Sequence, residues 1–342
     1  MRPKQRKYRI LLVYSARLRF IDIDAGILGG RHKVERMYIP SIWKINLCHM
    51  FLRVRQNDLV MCWFSSWHAF WPIVFSRMLG RPSVLIIGGY DTARMPEIKY
   101  GNQTVFYKRW ITNWNIRHAS FLNTFSHFSQ AEAAANANIS PERISVLHLA
   151  VPDLFQRQPD RERKKTVMTV GSVWGLHRKG MLPFVQAARY LKNFEFVHVG
   201  KIYNQSAFRV LQSHAPDNVT FLGFVDDSEL ASLYQKASVY CQLSAHEGFG
   251  LSLAEAMLGG CVPVVTRAGA IPEVTGKHAF YTQAADPRRI ADTIQKASSV
   301  DDAFRRKIRK HILTHFPMTR REKGMLALID FVMNDPAGGH AP

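Results

Sequence analysis

The chain has 342 residues, 47% hydrophobic and 21% charged, which fits two folded domains of ordinary size and excludes a disordered chain. Its four scattered cysteines have no paired spacing, which excludes a disulfide frame or zinc site and points to reduced thiols in the cytoplasm. The formal charge is +20, with +13 of it in residues 1–150, so anionic partners are expected: lipid headgroups, nucleic acid or a phosphorylated substrate.

In chain order, MRPKQRKYR before ILLVYSA mimics a secretory signal, but the apolar run is short and Arg17 and Arg19 follow it directly. A first strand over 8–14 is the better reading. Helices are expected at 21–28, 43–54, 67–79, 105–118 and 130–137, alternating with strands at 33–38, 58–64, 83–87, 121–125 and 144–147. No stretch spans a bilayer; the nearest, 59–78, is broken by Ser65, Ser66, His68, Pro72 and Arg77. Residues 156–165 (QRQPDRERKK) read as a linker. A second series follows, with strands at 167–170, 194–199, 219–221 and 239–243 and helices at 181–190, 206–213 and 227–236. Helices at 285–298, 301–315 and 321–333 close the chain, with a disordered tail after Asp335. Two such halves place a ligand in the cleft between the carboxyl ends of their sheets.

The densest signal is residues 241–276, CQLSAHEGFGLSLAEAMLGGCVPVVTRAGAIPEVTG. Gly248 and Gly250 permit a sharp turn and a close backbone approach to a ligand. Residues 251–258 read as a short helix with Ser252 near its start and Gly259-Gly260 at its end, followed by a buried strand at 263–265. Amides at a helix start favour a phosphate. A carboxylate such as Glu255 would be repelled by phosphate but suits a sugar diol, whose hydroxyls donate to it. A nucleotide-sugar pocket meets both conditions; a buried turn before an amphipathic helix is the plainer alternative.

Glu247 and Glu255, in EGFGLSLAE, resemble the E-x7-E motif of the retaining glycosyltransferases of family GT4, and GGCVPVV and GAIPEV are similar to the same family's C-terminal domain. The resemblance implies an α/β GT-B fold, two Rossmann-like domains facing across a cleft. Residues 1–157 would bind the acceptor, with a C-terminal helix at 318–335 packed back on them, and residues 158–317 would bind the nucleotide sugar. It implies retaining transfer from a UDP- or GDP-sugar to a hydroxyl of a glycan or lipid-linked saccharide in cell-envelope synthesis, with no cofactor and no bound metal. Arg178, Lys179 and the backbone of Gly248, Phe249, Gly250 and Leu251 would hold the diphosphate, Glu255 the ribose, and Glu247 the donor sugar beside the reacting carbon. Lys179 matches the family's lysine, whereas Ser172 stands where relatives carry arginine, so that role passes to Arg178. Phe224 lies in the loop that the family sets against the nucleobase.

On the acceptor side, Gly89 and Asp91 occupy a loop similar to the one that reaches the acceptor, with Asp91 positioning its hydroxyl; a turn residue is the other reading. His68 follows a strand and faces either the acceptor or the core. The family's Gly-Gly loop after the first strand is absent; SARLRF stands there, with Arg17 or Arg19 as an electrostatic substitute. Asp22-Ile23-Asp24 spells the D-x-D of metal-dependent transferases but reads as a helix start. Phe106, Trp110 and Trp114 recur every four residues among Lys108, Arg109 and Arg117, which fits either a helix on an anionic membrane surface or a face buried on the sheet. The expected place is the cytoplasm or the inner face of a membrane. The alternatives are a GT-B epimerase or phosphorylase, an anion- or nucleic-acid-binding protein, which lacks any recognition motif, and a pseudo-enzyme scaffold that does not turn donor over.

Overall fold

The computed structural model describes residues 6–153 and 163–334, which form two units. Unit 1 comprises the described residues of Met1–Ala150 and Met318–Pro342, and unit 2 is drawn from Val151–Pro317. The linker expected at 156–165 lies outside the described residues up to 162, and Lys164 and Lys165 already open a strand. The tail after Asp335 also lies outside them.

Unit 1 runs β1 (Arg9–Tyr14), α1 (Arg19–Gly29), β2 (Lys33–Tyr38), α2 (Leu47–Gln56), β3 (Leu59–Trp63), α3 (Trp67–Met78), β4 (Ser83–Ile87), α4 (Phe106–His118), β5 (Phe121–Thr124), α5 (His127–Ala137) and β6 (Ile144–Val146). Its sheet is parallel, in the order β2-β1-β3-β4-β5-β6. Every residue of β3 and β4 is buried, as expected for apolar strands covered by helices on both faces. The core gathers Leu11, Val13, Val60, Leu85 and Ile87 from the strands with Ile73 and Ile116 from the helices. Helix α2 starts four residues later than the apolar spacing suggested. The Asn46 side chain accepts from the His49 amide at 2.9 Å and fixes the start, leaving Trp43 in a separate single turn capped by Ser41. Ser126 caps α5 as expected, accepting from the Ser129 amide at 3.0 Å.

Unit 2 runs β7 (Lys164–Val170), α6 (Met181–Ala187), β8 (Glu195–Val199), α7 (Gln205–His214), β9 (Val219–Gly223), α8 (Asp227–Lys236), β10 (Ala237–Gln242), α9 (Leu251–Leu258), β11 (Val262–Val265), α10 (Ile271–Thr275), β12 (Phe280–Tyr281), α11 (Pro287–Ser298) and α12 (Asp302–His315). Its parallel sheet has the order β12-β11-β10-β7-β8-β9, a doubly wound arrangement. The chain turns outward in opposite directions from β7 and β10, which lie side by side, so the ligand-binding position of such a sheet is at their carboxyl ends. Sequence periodicity missed α10 and β12, which are too short to show one.

Helix α13 (Met318–Asn334) returns to unit 1. Arg321 is fully buried and forms a two-pronged pair with Asp24 of α1, at 2.9 and 2.7 Å, and Arg31 holds Asp330 likewise at 2.9 and 2.7 Å. In the D-x-D stretch, Asp24 pairs with Arg321 and Asp22 with Arg36.

Candidate active site

The loops after β7 and β10 bring three of the expected donor residues, Arg178, Lys179 and Glu247, together. The first, residues 171–180, crosses the carboxyl end of the sheet and is pinned there by the Ala245 amide, which donates to the Arg178 carbonyl at 2.8 Å. Gly180 has φ +63°, and a β-carbon there would lie 2.2 Å from the Leu243 carbonyl oxygen, so only glycine allows this approach. With the backbone so held, Lys179 bonds to Oε1 of Glu247, and a guanidinium nitrogen of Arg178 lies 3.8 Å from the same oxygen.

Glu247 is 8% exposed, and its Oε1 also accepts from Gln242 Nε2 at 2.7 Å and from Ser244 Oγ at 2.9 Å. Burial pushes this carboxyl up; the Lys179 charge and then that of Arg178 outweigh it, leaving the group below its ordinary value. Burial lowers the Lys179 ammonium, with Glu247 opposing that effect.

Behind Glu247 lies a polar chain that the sequence reading missed. Gln242 Oε1 and Ser252 Oγ each lie 3.0 Å from the Tyr240 hydroxyl. A phenol has one proton and Gln242 Oε1 can only accept, so Tyr240 donates to Gln242 and accepts from Ser252. Gln242 then turns both N–H groups forward, to Glu247 and, at 3.0 Å, to Ser244. The chain runs from the first turn of α9 to the carboxylate and fixes its rotamer. Its one visible signal in the sequence is a glutamine at the end of a fully buried strand, ASVYCQ.

Helix α9 opens at Gly250, whose φ is +94°, with no side-chain cap. The first helical bond is from the Ala254 amide to the Gly250 carbonyl at 3.0 Å, and among the described hydrogen bonds the amides of Leu251, Ser252 and Leu253 find no acceptor. They form a start of helix suited to an anion. Gly248 and Phe249 are buried beside it, and the Phe249 ring points into the core, 5.3 Å from Phe316, so only its backbone can face a ligand. Glu255, the fifth residue of α9, is 7% exposed. The far end of α9 is held by arginines: Arg163 donates to the Gly259 carbonyl at 2.6 Å and Arg309 to that of Leu258 at 2.6 Å, both suited to the negative end of the helix. Phe224 is exposed after β9, with the Lys201 ammonium 4.6 Å above its ring.

Two candidates in unit 1 lie in the interior. Asp91 is buried and accepts from the amides of Ser65 at 2.8 Å and Gly88 at 3.0 Å, tying the loops after β3 and β4 together, as its reading as a turn residue expects. Burial pushes it up to about 7, against those two amide bonds. His68 is fully buried, its Nε2 2.8 Å from the Trp63 carbonyl, and burial pushes it down to about 4, so it is a neutral core residue. Gly89 stays half-buried with φ +81° and open space beside it.

Residues 164–299 match the family described as glycosyl transferases group 1. The chain is 33% identical over 161 residues to the MMP alpha-(1->4)-mannosyltransferase of Mycolicibacterium hassiacum, covering 45% of this chain and 39% of that one. It is 26% identical over 206 residues to the O-antigen chain mannosyltransferase RfbU of Salmonella typhimurium, covering 58% and 57%. The chain thus spans well under two thirds of the curated relatives it matches. Among solved structures, Alr3699/HepE of Anabaena in complex with UDP and glucose superposes with a TM-score of 0.75 at 17% identity, covering 95% of this chain and all of that one. A glycosyltransferase from Rickettsia africae gives 0.77 at 15%, covering 97% and 100%. The chain therefore has the GT-B fold, and residues 164–299 of its second unit resemble the glycosyl transferases group 1 family.

Proposed function

We propose that the protein is a glycosyltransferase that moves a sugar, with retention, from a sugar nucleotide to a hydroxyl of a glycan or lipid-linked saccharide. The observation that carries this reading is the meeting of Lys179, Arg178 and Glu247 beside the uncapped start of α9, at the position where a doubly wound sheet binds its ligand. The names of the mannosyltransferase relatives support a mannosyl donor as the first to test.

In this reading the amides of Leu251 and Ser252 and the two cations hold the diphosphate and stabilise its growing charge as the glycosidic bond breaks. The lysine serves as a point charge and the arginine can bind through two nitrogens. Glu255 takes the ribose diol. Glu247, held by Gln242, Ser244 and Lys179, keeps its second carboxylate oxygen for a hydroxyl of the donor sugar. An acceptor hydroxyl attacks the anomeric carbon from the face the diphosphate leaves, and its proton departs with that diphosphate. No step calls on a metal.

The test is transfer of labelled mannose or glucose from GDP- or UDP-linked donors to extracted lipid-linked saccharides, with the product's anomeric configuration read by NMR. Transfer with the donor's configuration is expected. Release of free sugar, an epimerised nucleotide or a sugar phosphate without glycoside would refute the reading.

A further inference from the structure

We propose that the outer surface of helices α2, α3 and α4 is the docking face for an anionic lipid bilayer. Helix α3 provides the first observation. One stripe, with Ala69, Pro72 and Ile73, is buried on the sheet. The opposite stripe, Phe70, Trp71, Val74, Phe75 and Met78, is apolar as well; Trp71 and Phe75 are half-buried against the edge of the core, and Met78 stands in solvent. A helix covering a sheet normally turns polar residues outward, so the exposed remainder of this stripe calls for a second covering.

The aromatic rings of that stripe belong to an unbroken series across all three helices. Phe51 of α2 lies 5.4 Å from Phe75, Phe75 is 5.7 Å from Trp71, and Trp71 is 5.3 Å from Phe70. Phe70 then meets Trp114 at 4.6 Å and Trp110 at 6.0 Å on α4. Further rings on these elements stand in solvent: Trp110 is 55% and Phe106 77% exposed on α4, and Trp43, just before α2, is 93% exposed.

Charge selects the occupant. The three helices contain no aspartate or glutamate and six basic residues: Arg53, Arg55, Arg77, Lys108, Arg109 and Arg117. Arg53 alone of these pairs with an acid among the described residues, Glu35 at 2.8 Å. Arg77 and Arg117 donate to backbone carbonyls, while Lys108 and Arg109 lie over the rings of Tyr90 and Phe106, so their charges are not cancelled. Tryptophan and tyrosine at headgroup depth, with uncancelled lysine and arginine beside them, match an anionic bilayer surface. A protein partner would ordinarily meet charges of both signs. No helix of the described residues is long and apolar enough to cross a membrane, so the contact is adsorption to the surface. The inference rests on unit 1 alone and holds whether or not unit 2 binds a sugar nucleotide.

The test is flotation of the intact protein, without any sugar nucleotide, with vesicles of phosphatidylcholine alone or mixed with phosphatidylglycerol. Strong, salt-sensitive binding to the mixed vesicles is expected, and little to the neutral ones. At about fivefold per basic residue, Lys108→Gln/Arg109→Gln should lower the partition coefficient about 25-fold. Phe106→Ser/Trp110→Ser should lower it at least about tenfold. Phe106 and Trp110 are exposed and Lys108 and Arg109 half-buried, none of them in the core, so the variants should keep a melting temperature near that of wild type. Two controls in unit 2, the exposed Lys307→Gln/Lys310→Gln pair on α12 and Trp174→Ser, should leave it unchanged. The proposal is overturned by no binding to the mixed vesicles, by equal loss in the α12 control, or by full binding in the aromatic variant. A concentration-dependent dimer that Trp110→Ser dissolves would assign the face to a second copy and overturn it as well.

Discussion

Replacing Lys179 by methionine removes the ammonium and keeps most of the stem's volume. It leaves a carboxylate that is 8% exposed, with Gln242 and Ser244 as neutral donors and Arg178 at 3.8 Å. Removing one partner of a buried pair costs about 3–5 kcal/mol, and the surviving donors place this case near the low end, about 3 kcal/mol. At roughly 2–4 °C per kcal/mol for a domain of this size, the melting temperature should fall by about 6–12 °C. The loss should also depend on pH. In the native protein Glu247 lies below its unfolded value of 4.5, so its contribution is present above that value and lost as pH falls through the folded one. Without the lysine, burial dominates and lifts Glu247 above its unfolded value, so its contribution is lost as pH rises instead. The deficit against wild type should therefore widen as pH rises through the unfolded value of 4.5, read by circular-dichroism melts at each pH. An unchanged melting temperature, or a deficit that does not vary with pH, would refute the pairing.

Glu255→Ala should weaken sugar-nucleotide affinity about tenfold or more with the fold intact, by calorimetric titration, since it removes a charged acceptor of the ribose hydroxyls; unchanged affinity would take Glu255 out of the site. Arg321→Ala should destabilise unit 1 by about 3–5 kcal/mol in urea titrations, because it strands the buried Asp24. The double change Asp24→Leu/Arg321→Met should recover much of that loss. Asp91 titrates near 7 in the folded state, above its usual 3.8, so it makes unit 1 less stable as pH rises between those values. Asp91→Asn should remove that slope, and a slope left intact would assign it to another group.

The sequence shows the alternation of strands and helices plainly, because covered parallel strands are nearly continuous apolar runs, as in SVLII at 83–87. It shows Glu247, Glu255 and Lys179 through their spacing and their glycines. It cannot show how a side chain spends its hydrogen bonds. Asp91 looked functional because it follows two glycines at a strand end, yet its carboxylate serves two backbone amides. Gln242 and Tyr240 looked like ordinary strand residues, yet they carry the chain that orients Glu247. Single polar residues on buried elements leave no periodic signal, and their roles appear only when the neighbouring loops are in place.

The central claim is that the loops after β7 and β10 bind a sugar nucleotide. Thermal shift of the intact protein against GDP- and UDP-linked sugars tests it most directly, because a ligand of the folded state adds about 2.7 kcal/mol of stability at a hundredfold excess over its Kd. At least one sugar nucleotide should raise the melting temperature in wild type, and in neither Lys179→Met nor Glu255→Ala. No shift with any donor, or the same shift in both variants, would contradict the account.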